Sequence, residues 1–267
     1  MPTMDDITGD LVAETEDLVP RLRAISEDDW DRPTPAPGWA VRDQVSHLAA
    51  VDETAVRAAT DPDGYAADAA RRRADPAAAP DPLARGRDVP GADVLAWFEA
   101  ARATMLDVFR GLDPKARIPW AGPSMSAVSF ATARLMETWA HGQDVVDALS
   151  LHRPPTDRLR HVCHIGVLAR PYSYTTRGLE PSTVPVRVEL VAPSGATWTW
   201  GEASAADVVR GTALDFALVA TRRRHRADTD LEAVGPAATE WLEIAQAFAG
   251  PPGAGRQPGQ FPKVTAP

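Results

Sequence analysis

Apolar residues recur through the first 150 positions at the three- and four-residue spacings that line one face of an α-helix. Ile7, Leu11, Leu18, Leu22 and Ile25 predict a first helix over residues 5–25, with Pro20 a place where it could kink. Val41, Val45, Leu48 and Ala55 predict a second over 41–59, and His47 falls near the edge of that stripe. Val94, Leu95, Phe98, Met105 and Phe109 mark a third over 92–112, and a fourth runs over 126–149. In the fourth, Leu135, Trp139 and Val146 form an apolar side, while Phe130, Ala133, Glu137, Ala140, His141 and Asp144 share an opposite side of small and polar residues. Four such helices make one bundle, and bundles build metal sites from inward residues on facing helices.

The connections are equally patterned. Pro33, Pro35 and Pro37 before Gly38 cannot continue a helix and force an ordered loop, with Trp39 placed to pin it to the core. Residues 61–90, rich in Ala, Asp, Arg and Pro, read as a surface excursion with short helices. After Pro154 and Pro155 the pattern changes. A helix containing RLRHVCHIGVLAR leads to alternating Val186, Val188 and Leu190, the turn APSG, and TWTW, which together predict a β-hairpin. Ser204 with Asp207 resembles a capping box opening a helix through Leu214, Phe216 and Leu218, and a last helix spans 236–249. The fold class expected is mainly α with an α+β C-terminal part. A four-helix bundle covers 1–153, a small helix, hairpin and helix domain covers 154–252, and a flexible Pro/Gly-rich tail, mobile or wrapped over the surface, covers 253–267.

Composition narrows the partners. A chain of 267 residues is long enough for two cores. A net charge of −9 argues against broad attraction to nucleic acid or anionic lipid, so the expected partner is a small molecule. No run approaches the roughly 18 apolar residues that span a bilayer. The single Cys163 and the lack of a basic and apolar leader fit a reducing, cytoplasmic setting. The sequence sets no oligomeric state.

The candidate chemistry begins with Glu137 and His141, one helical turn apart and able to reach a single ion. His47, from a neighbouring antiparallel helix, would complete a set of two histidines and one carboxylate, which leaves coordination positions open as catalytic zinc and non-haem iron sites do. Zn is favoured by this set, and Fe, Co and Ni share the same ligands. Asp144 after His141 and Asp43 before His47 stand one turn away and could orient the imidazoles. His161, Cys163 and His164 look like a second cluster, but adjacent helical positions point about 100° apart, so they read as packing. His161 and His164, with Arg170, could instead hold a substrate or cofactor. The run Arg222, Arg223, Arg224, His225 and Arg226 meets a helix C-terminus favourably, and one of these arginines could equally hold a carboxylate.

PTPAPGWAVRDQVSHLA and RLMETWAHGQDVVDAL are similar to the metal-binding helices of the DinB-like superfamily, in the branch that includes mycothiol-dependent maleylpyruvate isomerase. The resemblance covers most of the chain. It implies a DinB-like bundle joined to a small C-terminal domain, His47, Glu137 and His141 as metal triad, and a charged catalytic group from the segment at Arg222. It also implies a metal-dependent enzyme, an isomerase or an S-transferase, that activates a low-molecular-weight thiol such as mycothiol toward an electrophile. Two other readings stay open: a metal-hydroxide hydrolase or ring-opening enzyme without thiol, and a non-catalytic metal-binding module.

Overall fold

Four long helices carry the N-terminal half. In a computed structural model, which describes residues 3–75, 81, 83–120 and 124–263, they are α1 (Met4–Arg23), α3 (Val41–Thr60), α6 (Gly91–Arg110) and α7 (Ala127–Ala148). Shorter helices α2 (Glu27–Trp30), α4 (Pro62–Ala74) and α5 (Ala84–Arg87) lie between them. α1 continues through Pro20 to Arg23. The expected surface excursion holds α4, which buries none of its residues. Leu18, Leu22, Val41, Val45, Leu48, Val94 and Phe98 pack into one core with Trp30. Each such side chain contributes about 1.5–3 kcal/mol on burial. α7 is buried nearly all round, so the polar groups on it lie inside the bundle.

One polar cluster ties all four helices together. Arg102 of α6 donates from Nε to Asp52 of α3 at 2.6 Å, from Nη1 to Thr15 of α1 at 2.6 Å and from Nη2 to Thr138 of α7 at 2.9 Å. Arg134 of α7 meets the other Asp52 oxygen at 3.2 Å. Asp52 is fully buried and both arginines are 2% exposed.

The described residues form two units, the first ending at His152 and the second beginning at Arg153. The second contains α8 (Leu159–Leu168), α9 (Arg170–Thr175), α10 (Ala213–Ala220) and α11 (Pro236–Ile244). Its sheet is built from β3 (Val186–Val191), β4 (Thr197–Trp200), β5 (Asp207–Thr212) and β6 (Glu232–Val234), in the order β4-β3-β5-β6. A short ladder in the first unit pairs β1 (Arg117–Ile118) with β2 (Met125–Ser126). The hairpin read from sequence is β3 with β4, Val188 opposite Trp200 and Leu190 opposite Trp198.

The segment after Ser204 corrects an expectation. Residues 207–212 form β5, parallel to β3 with Val188 beside Val209, and α10 starts only at Ala213, where the Thr212 hydroxyl accepts the Asp215 N–H. Asp207 does cap a helix, but a distant one. Its buried Oδ2 accepts from Ala237 N at 2.7 Å and Ala238 N at 3.2 Å, the first turn of α11. Gly235 makes room for this: its φ is +87°, and a Cβ there would lie 2.4 Å from the Asp207 carboxyl carbon. Replacing Asp207 with alanine should cost about 1–2 kcal/mol in urea denaturation, the range for a lost N-terminal cap.

The tail beyond Gly253, as far as it is described, is wrapped against the second unit. Asp228 accepts from Gly259 N at 2.7 Å, Lys263 pairs with Asp230 at 2.6 Å, and the Arg224 guanidinium lies 3.8 Å from the Phe261 ring centre. No described helix is long and apolar enough to cross a membrane.

Candidate metal centre

The two helices that face each other across the bundle bring His47 of α3 to Glu137 and His141 of α7. One nitrogen or oxygen of each lies within 4.8 Å of the others. His141 Nε2 is 3.1 Å from Glu137 Oε2, and His47 Nε2 is 3.9 Å from the same oxygen. A tetrahedral ion with bonds of about 2.1 Å holds its ligand atoms about 3.4 Å apart, so these separations bracket what zinc requires. The donor set and its spacing fit a divalent cation. Burial alone would raise the Glu137 carboxyl, but hydrogen bonds and charge from His141 and His47 overcome it and hold the group well below 4.5. The carboxylate is therefore ionised and ready to act as a ligand.

Trp39 forms a wall of this site as well as an anchor for its loop. Its ring stacks on His141, centroids 5.8 Å apart at 20°, and lies 5.4 Å from His47. The far side of His141 is held by a residue that sequence reading missed. His141 Nδ1 is 2.6 Å from Oε1 of the fully buried Gln44, whose Nε2 donates to Thr34 Oγ1 at 2.8 Å. The signal was a buried-face Gln three residues before His47, but its partner lies 97 positions away.

Gln44 holds His141 at Nδ1, and Asp144, one turn on from His141, is buried on α7. Asp43 serves the start of α3: Oδ2 accepts from Ala40 N at 2.9 Å and Oδ1 pairs with Arg87 at 2.8 Å. It is committed to the helix end rather than to His47.

The remaining candidates belong to the second unit. His164 Nδ1 accepts the Trp200 indole N–H at 3.2 Å, and burial first, then His161 and Arg160, lower its pKa. His161 lies one turn before it on α8. Arg170 donates to Val184 O at 2.8 Å and lies over Trp241 at 5.7 Å. Arg222, two residues past the end of α10, has φ +60° and places its guanidinium against Gly255. It lines, with Arg224 and Arg256, a cavity of about 130 Å³ inside this unit.

The comparisons with known proteins agree with the fold. A family model described as the mycothiol maleylpyruvate isomerase N-terminal domain matches residues 11–146. The chain belongs to this family. Two uncharacterized proteins of Mycobacterium tuberculosis, from strains CDC 1551 / Oshkosh and ATCC 25618 / H37Rv, are each 45% identical over 249 residues, 93% of this chain and 97% of the relative. Crystal structures of the mycothiol-dependent maleylpyruvate isomerase and of a histidine variant share the fold. Each matches with a TM-score of 0.53 at 15% identity, over 84% of this chain and 90% of the other. The family member thus has the expected architecture, mainly helical with a small sheet-containing C-terminal part.

Proposed function

We propose that this protein is a divalent-metal-dependent enzyme that uses a low-molecular-weight thiol, mycothiol, to add to or isomerise a small electrophilic substrate. The observation that carries the proposal is the convergence of His47, Glu137 and His141 on one point inside the bundle. A bound divalent ion supplies Lewis acidity, lowering the pKa of a thiol or water that it holds. Glu137 and the imidazoles supply the donors, and Trp39 shields one side of the rings. For an isomerisation, the thiolate sulfur bonds to one alkene carbon and a proton goes to the other. Rotation about the resulting single bond, then loss of the same thiolate and of one proton from the neighbouring carbon, restores the alkene. A transferase would stop at the adduct. Arg222 is kept as the charged catalytic group that the resemblance implies.

The thiol must come from outside the chain. Cys163, the one cysteine in the sequence, is fully buried, its Sγ donates to Ala213 O at 3.4 Å, and burial pushes its pKa up. The folded protein should resist iodoacetamide at pH 8 and react only when unfolded, as read by mass spectrometry.

The test of the proposal is elemental analysis of the wild type beside His47→Ala and Glu137→Ala/His141→Ala, followed by turnover of activated alkenes with and without mycothiol. About one metal per wild-type chain and none in the variants, with thiol-dependent turnover, is expected. Metal-dependent turnover that ignores thiol would move the assignment to a metal-hydroxide hydrolase. Metal absent from all, even after reconstitution, would sink the metal reading.

A further inference from the structure

Thr34, Gln44 and His141 form a line of hydrogen bonds whose direction is fixed at the loop end. The Trp39 carbonyl, which can only accept, takes the Thr34 backbone N–H at 2.7 Å and the Thr34 hydroxyl at 2.8 Å. The single hydroxyl hydrogen is thereby committed, and the Thr34 oxygen has only lone pairs left to offer. Gln44 must therefore turn its NH₂ group toward Thr34, which it meets at 2.8 Å. Its carbonyl oxygen then points the other way, at His141 Nδ1, 2.6 Å distant. Only an N–H on Nδ1 makes that contact favourable. With the Nδ1 hydrogen held in this way, the nitrogen left to give up its hydrogen and offer a lone pair to an ion is Nε2, which in the metal-free protein meets Glu137 at 3.1 Å.

We infer that Gln44, locked by Thr34 and the Trp39 loop, is a positioning residue that sets the His141 tautomer so that Nε2 is the metal-binding atom. The inference rests on the metal reading proposed above. The alternative is that Gln44 only fills the core between α3 and α7. A fully buried amide without this relay would still need both of its hydrogen-bonding ends satisfied, but the order of those ends would carry no consequence for an ion.

Zinc affinity of the purified protein, measured against a chromophoric chelator at fixed pH, separates the two. Gln44→Leu keeps the volume and removes the acceptor, and should weaken zinc binding by about 10–100-fold, the usual effect of losing an outer partner of a ligating histidine. Gln44→Glu keeps an acceptor for the same N–H and should stay within about threefold of wild type. Thr34→Val should weaken binding by less than Gln44→Leu. Because Thr34 acts through Gln44, the double variant Thr34→Val/Gln44→Leu should bind no more weakly than Gln44→Leu alone. In the zinc-loaded wild type, ¹⁵N resonances of His141 should report ligation through Nε2 with the hydrogen on Nδ1.

Wild-type zinc affinity in Gln44→Leu, additive losses in the double variant, or ligation through Nδ1 would each overturn the relay while leaving the metal site standing. A wild type that binds no zinc would instead remove the metal reading, and the relay with it. Should Gln44→Leu fail to fold, the remaining pair decides: Gln44→Glu near wild type with Thr34→Val weaker supports the relay, and the reverse order rejects it.

Discussion

His141→Ala is expected to lose zinc binding by more than the roughly 10–100-fold that an outer partner is worth, because it removes a ligand instead of its support. The loss has a second part. His141 Nε2 stands 3.1 Å from Glu137, and His141 is the stronger of the two imidazoles that hold the carboxyl low against its burial. Without it, burial is less opposed and the Glu137 pKa rises, so the remaining carboxylate is more readily protonated and a poorer ligand in acid. The sign for metal-free wild type follows from linkage. A carboxyl whose folded pKa lies below its unfolded value adds stability that is present above about 4.5 and is lost as pH falls through the folded value. Metal-free His141→Ala should therefore show less of this acid-limb loss than metal-free wild type, as urea midpoints between pH 3 and 6 would reveal. Equal acid limbs in the two proteins would contradict the assigned pairing.

Asp52→Ala should be among the strongly destabilising changes in the bundle, costing about 3–5 kcal/mol in urea denaturation. It would leave Arg102 and Arg134, both about 2% exposed, buried beside each other without the carboxylate that each contacts. Burial already lowers the Arg102 pKa, with Asp52 the first group opposing that shift. Asp52→Leu combined with Arg102→Met and Arg134→Leu should recover much of the loss, because an apolar cluster of similar volume avoids desolvating charge. If the single change costs less than about 1 kcal/mol, water reaches the cluster and the burial argument fails.

How far the sequence reached depends on the range of the interaction. The four bundle helices were legible because their stripes repeat locally, and Glu137 with His141 because one turn of helix is itself a local distance. β5 was misread because it is a central strand flanked on both sides. Its buried run Asp207–Val209 shows no alternation, and Ser204 with Asp207 imitates a helix start. What Asp207 caps lies thirty positions on, beyond any local pattern. Gln44 was hidden for the same reason, its partner being on another helix. The Asp52 cluster was visible in principle. A carboxylate between Leu48 and Ala55, and an arginine between Phe98 and Met105, stand in stripes that otherwise hold only apolar groups, and a charge there needs an opposite charge across the core.

The three prolines of the loop that ends at Trp39 act before the protein folds. Each fixes φ near −65° in the unfolded chain, so Pro33, Pro35 and Pro37 leave the segment fewer conformations to lose when it closes. Closure is what places Thr34 against Trp39 and, through Gln44, turns the His141 ring. Much of the entropy cost of ordering this side of the site thus falls on the unfolded ensemble rather than on ligand binding. An incoming ion would meet a histidine already facing it.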